Sequence, residues 1–296
     1  MGILAASYDI GNIVALVLSA AIMEMGAGWR ALFVVNPAIV LVVAMVAAFA
    51  LPSEAREEQA RAADDARAEV VDAADDARAE VMDPKVPETL RALVVRLATE
   101  PSFWFAAALS FLLTFVRAGF MTWTPRFLYE VSVAAGVASP IASSIAKSAL
   151  FGVAGVVGSV ITGRVSDRLG PGRRAPAVTT SLAMLVVCTL ALGHAGVTSP
   201  HVATVGVALC GLFLLGPYSL LSGAVSLDVA GARGAATAAS VIDAVGYVGA
   251  SGAAFILGSV SRRAGWTAAF DVVAGVTFAA LLVAAGWSLR RAPRTA

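Results

Sequence analysis

Charged side chains are scarce in this chain of 296 residues. Asp, Glu, Lys and Arg together make up 14% of it, whereas an ordinary soluble domain carries about a quarter. Hydrophobic residues make up 59%, and the formal net charge is +1, so no basic surface is available for nucleic acid. This composition excludes water as the main solvent and indicates a protein that resides in the lipid bilayer.

Cysteine and histidine are also rare, with two of each. Cys188 and Cys210 stand in uncharged apolar runs, which favours small buried hydrophobes over a disulfide. His194 and His201 fall in a break between two apolar runs, where we assign them no chemical role. Because no ligand cluster, nucleophile with a base or phosphate-cradling loop is visible, the sequence predicts no metal, no cofactor and no enzymatic activity.

Long apolar stretches dominate the rest of the chain. A helix needs about 20 mainly apolar residues to cross the bilayer, and residues 175–227 contain no Asp, Glu, Lys or Arg at all. The sequence therefore predicts an all-α membrane protein, a bundle of eight transmembrane helices. The predicted spans are residues 3–23, 31–51, 102–125, 140–163, 175–196, 202–224, 235–258 and 267–289.

Arginines are distributed unevenly between the two sides of these spans, and positive loops stay in the cytoplasm. The bias predicts a multi-pass protein of the cell membrane with both termini cytoplasmic. The cytoplasmic set is Arg164, Arg168, Arg173, Arg174, Arg233, Arg290, Arg291 and Arg294, and the opposite set is Arg30, Arg126, Arg262 and Arg263.

A hydrophilic segment separates the second span from the third. It contains AADDARAEVVD at 62–72, followed at once by AADDARAEVMD at 73–83. Eleven residues make almost three helical turns, so this repeat predicts a solvated helix or semi-ordered linker, with a partner-binding helix as the alternative. The resulting organisation is two helices in 1–51, a charged cytoplasmic linker in 52–101 and six helices in 102–296.

Ionisable residues inside spans are functional candidates, because burying a charge in hydrocarbon is costly. Arg117 lies midway along the third span, where its planar fork suits a phosphate or carboxylate. The alternative is a structural ion pair of Arg117 with Asp243 or Asp9, which are the candidate coupling or charge-pair residues. Lys147 and Asp243 lie seven or eight residues into their spans, so we expect them at similar depth, either as a switchable pair that an anion or proton competes for or as a permanent bridge. Asp9 shares one face of the first span with Tyr8 and Asn12, which we expect to look inward.

Glycines recur on one face of the fourth span and on one face of the seventh. Small residues allow close helix packing, with sliding of the helices as a functional refinement. The two rows are Gly152, Gly155 and Gly158, and Gly246, Gly249 and Gly252.

The segment GRVSDRLGPGRR, residues 163–174, resembles the signature loop of the major facilitator superfamily, with two residues inserted before the last basic pair. The resemblance implies a tight turn that gates the cytoplasmic face. The matching positions are Gly163, Asp167, Arg168, Gly170, Arg173 and Arg174.

Further segments resemble the organophosphate:phosphate antiporter branch of this superfamily: FLLTFVRAGFMTWTPRFLYEV at 111–131, GLFLLGPYSLLSGAVSLDVAG at 211–231 and GAATAASVIDAVGYVGASG at 234–252. The resemblance implies that Arg117 binds substrate phosphate. Lys147, Tyr8, Asn12 and Tyr247 are the further candidate substrate ligands. Tyr8 stands where the branch has a histidine, and Asp243 replaces a small residue, which admits another organic anion or coupling to protons.

The family has twelve spans in two halves, and this sequence resembles helices five to twelve, without the first four. Its fifth and eighth helices pack together, while the glycine face of the seventh span here would lack its usual partner and lie open to lipid or another chain. We therefore expect, as a protein partner, a second copy or a missing N-terminal half. Two functions follow: alternating-access transport of small organic anions, or a truncated, non-transporting scaffold or ligand sensor.

Overall fold

A computed structural model of the protein describes residues 2–26, 29–50, 97, 99–169, 175–220 and 226–291. Within these ranges the chain forms seven helices, one short 3-10 turn at Gly196–Thr198 and no strand, so the all-α prediction is confirmed. The helices are α1 Gly2–Glu24, α2 Trp29–Ala50, α3 Pro101–Ala134, α4 Pro140–Leu169, α5 Ala175–His194, α6 Pro200–Leu220 and α7 Ser226–Arg291.

The number of membrane crossings follows from the lengths of these helices. Among the described residues, six helices are long and apolar enough to span a bilayer, and a shorter apolar stretch covers Ile10–Glu24 in α1. The apolar part of α7, Thr237–Trp287, has 51 residues and would reach about 77 Å if straight, more than twice the bilayer core. It supplies two crossings, so the six helices account for seven of the predicted eight, and the shorter apolar stretch of α1 corresponds to the eighth.

The α7 helix folds back on itself at Gly265, whose φ of +82° is unsuited to a helix. Gly249 in its first arm (226–264) approaches the backbone of Phe111, and Gly258 lies against the Trp123 ring. In the second arm (266–291) the chain returns, so that Gly286 packs near Phe105. The two arms therefore form a hairpin that runs up and down the length of α3.

The α3 helix is the centre of the bundle and contacts α4, α6 and both arms of α7. Glu100 caps its start, accepting a hydrogen bond from the Ser102 backbone at 3.4 Å. The predicted end of this span at residue 125 is too early, because the helix passes through Pro125 and ends at Ala134. A proline removes only its own backbone donor, and the following turn carries an Arg126–Glu130 ion pair at 2.8 Å.

Glycines bring α4 and α6 into backbone contact. A methyl group at Gly158 would overlap the carbonyl of Leu212, and one at Gly211 would overlap the carbonyl of Phe151. Such close approach needs residues without a side chain, so the packing role predicted for the glycines of α4 is confirmed at Gly158. The same helix α4 also packs on α1.

The glycine face of α7 is covered within the chain. A methyl at Gly246 would meet the hydroxyl groups of Ser110 and Thr114 on α3, and one at Gly249 would meet the Phe111 carbonyl. The expectation that this face lies open to lipid or another chain is therefore wrong. The small residues allow α7 to contact α3, a helix of the same chain.

The chain divides into two compact units, residues 1–26 with 94–296 and residues 27–93. The described part of the second unit is α2, an apolar helix in which the Arg30 guanidinium lies 4.7 Å from the Trp29 ring centroid. The eleven-residue repeat and the linker that contains it lie outside the described residues.

Candidate functional site

Arg117 lies near the midpoint of α3. The contact between the rings of Phe120 on α3 and Phe151 on α4 shows which residues of the two helices lie at the same height in the bundle. These rings stack with centroids 5.3 Å apart and planes inclined by 19°. Arg117 is three residues before Phe120, and Lys147 is four residues before Phe151. Because α3 and α4 are antiparallel neighbours joined by a short connection, the two cations lie on opposite sides of the stack, about 10 Å apart along the bundle.

Tyr218 is the aromatic neighbour of Arg117. The central guanidinium carbon of Arg117 lies 4.8 Å from the centroid of the Tyr218 ring, a cation–π distance. Tyr218 follows Pro217, which lies inside α6. Both Arg117 and Tyr218 are half-buried, so this contact is positioned deep in the bundle and not at its rim.

Lys147 and Asp243 are not partners, and the predicted charge pair is wrong. Gly246 faces Ser110 and Thr114, which places Asp243 close to the level of Leu109, whereas Lys147 lies near the level of Thr124. The axial separation is about 22 Å, far beyond the reach of the two side chains. Depth was counted from the start of each span, but α4 and the first arm of α7 start at opposite ends of the bundle.

Asp243 and Tyr247 occupy the exposed side of the first arm of α7. They are four residues apart and therefore share one helix face, and Tyr247 is 70% exposed. Gly246 contacts α3, and Ala238 and Ile242 are buried. Tyr247 thus points away from α3, whereas Asp243, three residues before Gly246, lies at the exposed edge of that contact.

The remaining candidates are distributed over α1 and the end of α4. Asn12 is half-buried on α1. Tyr8 and Asp9 belong to the same helix, but their side chains lie outside the described part. In the signature loop, Gly163 has open space around it and Arg168 is exposed in the last turn of α4. The side chain of Asp167 and the residues Gly170, Arg173 and Arg174 lie outside the described part, so the gating role remains a prediction.

Polar contacts join the helices at the end of the bundle where α7 folds back. Trp266 Nε1 donates a hydrogen bond of 2.6 Å to Glu130, whose carboxylate also pairs with Arg126. His194 Nε2 and Asp271 Oδ1 lie 3.2 Å apart. These contacts link the ends of α3 and α5 to the fold-back of α7, the end to which the arginine bias assigned Arg126.

A small cavity lies between α3 and α7, with room for one water-sized molecule. Trp123 and Thr124 line it together with Phe270 and Trp266. The Trp123 Nε1 and Thr124 Oγ1 atoms are buried and have no hydrogen-bond partner among the described residues. They are polar groups in a cavity that is otherwise lined mainly by aromatic and aliphatic side chains.

Two of these residues were missed by reasoning from the sequence. Tyr218 directly follows a helix-internal proline in the segment GLFLLGPYSLL that carried the family resemblance, and this position could have marked it. Glu130 had no comparable signal, because its indole partner Trp266 is 136 residues away.

Comparison with known proteins gives the family. The family profile described as Major Facilitator Superfamily matches residues 1–254 and 149–296. A candidate glycerol-3-phosphate transporter 1 of Arabidopsis thaliana is 28% identical over an alignment of 299 positions that covers 96% of this chain and 55% of that protein. The glycerol-3-phosphate transporter of Bacillus subtilis is 28% identical over 187 residues, 62% of this chain and 41% of that protein.

A third relative, the glucose-6-phosphate exchanger SLC37A2 of Xenopus tropicalis, is 25% identical over 145 residues, 46% of this chain and 28% of that protein. The chain thus spans about half the length of the curated relatives it matches. These relatives confirm the resemblance to the organophosphate branch that the sequence predicted. With its apolar spans and its profile match, this chain is a multi-pass membrane protein and belongs to the Major Facilitator Superfamily.

Proposed function

We propose that this chain carries small phosphorylated organic anions, such as glycerol 3-phosphate or a hexose phosphate, across the cell membrane in exchange for phosphate. The observation that carries the proposal is the position of Arg117, a permanent cation placed midway along α3 and over the ring of Tyr218. A guanidinium offers paired N–H donors that fit two phosphate oxygens. Relatives of this chain are named for the transport of such phosphate esters.

Lys147 has a separate role in this proposal. It lies about 10 Å from the level of Arg117, toward the end of the bundle where α3 and α4 are connected. At that position its ammonium group attracts an anion that enters or leaves, while Arg117 holds the phosphate at the middle of the bundle. Tyr247 and Asn12 remain candidate contacts for the organic part of the substrate, and Asp243 remains a candidate coupling residue.

The orientation and the partner belong to the same proposal. Both termini and the linker lie in the cytoplasm, as the arginine bias indicates. Alternating access in this family takes place between two halves, with substrate at the midplane. In this proposal a second copy of the chain completes the cavity, and it adjoins the exposed side of α7 that carries Asp243 and Tyr247.

Exchange by the purified chain tests the proposal. Proteoliposomes loaded with inorganic phosphate are diluted into labelled glycerol 3-phosphate, and uptake is compared between wild type, R117K and R117A. Arg126→Ala is the matched control, since Arg126 is an exposed arginine on the same helix. We expect uptake in wild type and R126A, with a loss of at least about 100-fold in R117A.

The alternative of a non-transporting ligand sensor gives a different result. In that case the chain in lipid nanodiscs binds glycerol 3-phosphate in an Arg117-dependent manner, yet the proteoliposomes show no exchange. Absence of both binding and exchange would overturn the assignment of a phosphate ester as the ligand.

A further inference from the structure

Tyr218 forms one wall of the position that Arg117 occupies. The central guanidinium carbon lies over the face of the ring, 4.8 Å from the ring centroid, so the cation contacts the π system of Tyr218. A guanidinium is planar, and its N–H bonds point outward in that plane. One ring does not contact all five N–H groups, so the same guanidinium can contact the ring and bind a planar or tetrahedral oxyanion.

The ring and an anion do not compete for the same part of Arg117. Tyrosine attracts the cation through the negative face of its π system, whereas phosphate oxygens accept hydrogen bonds in the guanidinium plane. Stacking also restricts the long, flexible arginine side chain before a ligand arrives. Less conformational freedom is then lost on binding, which raises the affinity for the anion.

The backbone that carries Tyr218 is held firmly against α4. A methyl group at Gly216 would overlap the Thr162 hydroxyl, so the two helices are in close contact two residues before Tyr218. The Ser159 hydroxyl donates a hydrogen bond of 3.1 Å to the carbonyl of Leu215 across the same interface. The ring of Tyr218 is thus attached to a segment of α6 that is fixed on its neighbour.

We infer that Tyr218 is a positioning residue, an aromatic platform that holds the guanidinium of Arg117 with its N–H edge turned toward the phosphate group of the substrate. This inference rests on the proposed function, since it names the residue that orients the proposed phosphate ligand. The ring is the active part and the phenolic hydroxyl is not, because the contact is made by the face of the ring.

Equilibrium binding of inorganic phosphate and of glycerol 3-phosphate to the full chain in nanodiscs tests the inference. We compare wild type with Y218F, which keeps the ring, and with Y218M and Y218L, which remove it. Tyr129→Leu is the control, because Tyr129 is an exposed tyrosine near the end of α3. Thermal unfolding is recorded for every variant, so that a loss of fold is separated from a loss of binding.

We expect Y218F and Y129L to bind within about twofold of wild type, and Y218M and Y218L to bind about tenfold more weakly at an unchanged unfolding midpoint. In an R117K background the Y218M substitution should change the affinity for either probe by no more than about twofold, since the planar guanidinium that contacts the ring is gone.

Wild-type affinity in both Y218M and Y218L would overturn the inference and leave the proposed function intact. Equal weakening of Y218F and Y218M would also overturn it, since the hydroxyl and not the ring would then be responsible. If wild type binds neither probe, the proposed function itself fails. If one of the ring-removing variants unfolds, the other, together with Y218F, decides the result.

Discussion

Trp266 and Glu130 are joined by a hydrogen bond of 2.6 Å, donated by the indole Nε1 and accepted by the carboxylate, although 136 residues separate them in the chain. Glu130 lies near the end of α3, and Trp266 directly follows the fold-back of α7 at Gly265. The bond therefore fastens the hairpin to the central helix at one end of the bundle. Trp266 is half-buried there among the rings of Trp123, Phe127 and Phe270.

Removing the carboxylate of Glu130 should loosen this end. Hydrogen bonds to charged acceptors are stronger than neutral ones, but Glu130 is partly exposed, so we expect E130A to lower the free energy of unfolding by about 1 kcal/mol. E130Q keeps an oxygen acceptor, so its free energy of unfolding should fall by less than half as much as that of E130A. Unfolding in mixed micelles titrated with a denaturing detergent gives the values, with E24Q at an exposed helix end as control. A stability of E130A equal to wild type would contradict the prediction.

The backbone contact between α4 and α6 should not tolerate even one methyl group. We expect G158A to lower the free energy of unfolding by at least about 2 kcal/mol, because the atom it would overlap is the carbonyl of Leu212, which cannot rotate aside. Gly275 in the second arm of α7 has no atom within 4 Å of the added methyl. G275A is therefore the matched control and should be neutral or stabilising by up to about 1 kcal/mol. Equal stabilities of the two variants would show that the helices are not in contact at Gly158.

The hydroxyl group of Thr124 is buried without a hydrogen-bond partner among the described residues. Replacing it with the isosteric T124V removes a desolvated polar group, so we expect stability to be unchanged or raised by about 1 kcal/mol. The comparison is T189V, since Thr189 is equally buried but donates a 2.7 Å hydrogen bond to the Leu185 carbonyl. That variant should lose about 1 kcal/mol. A clear destabilisation by T124V would show that its hydroxyl is satisfied in the membrane.

Lys147 and Asp243 should behave as independent residues. They lie about 22 Å apart along the bundle, and changes at distant sites are additive. In a double-mutant cycle of K147M and D243N, measured on phosphate binding and on unfolding, we expect a coupling energy below about 0.5 kcal/mol. The pair Arg126 and Glu130, in contact at 2.8 Å, is the positive control for unfolding. If adding the second substitution recovered the binding or stability lost with the first, Lys147 and Asp243 would be coupled, and the charge pair would be supported after all.

The membrane spans could be predicted from the sequence because bilayer thickness sets a length that apolar runs must match. All eight predicted stretches overlap described helices, and the division of α7 into two spans was visible from Arg262 and Arg263 between its apolar arms. The end of α3 was not predictable in the same way, because a proline inside a helix does not by itself show whether the helix stops.

The candidate site was predicted less completely. Arg117 stands out in the sequence as a charge in the middle of an apolar run, so it could be proposed as a site residue from the sequence alone. The role proposed for Tyr218 depends on the packing of α6 on α3. The error over Lys147 and Asp243 arose because their two spans start at opposite ends of the bundle. Contacts between helices depend on register and direction, which apolar periodicity does not contain.

The turn at Gly265 has a consequence for the biosynthesis of the protein. Thr237–Trp287 is one apolar stretch in which Asp243, Arg262, Arg263 and Asp271 are the charged residues. Because so few residues separate the two arms, neither arm can enter the bilayer far in advance of the other. We therefore expect the arms to insert as one helical hairpin. In the orientation proposed above, the polar tip with its two arginines is the part that crosses the hydrocarbon.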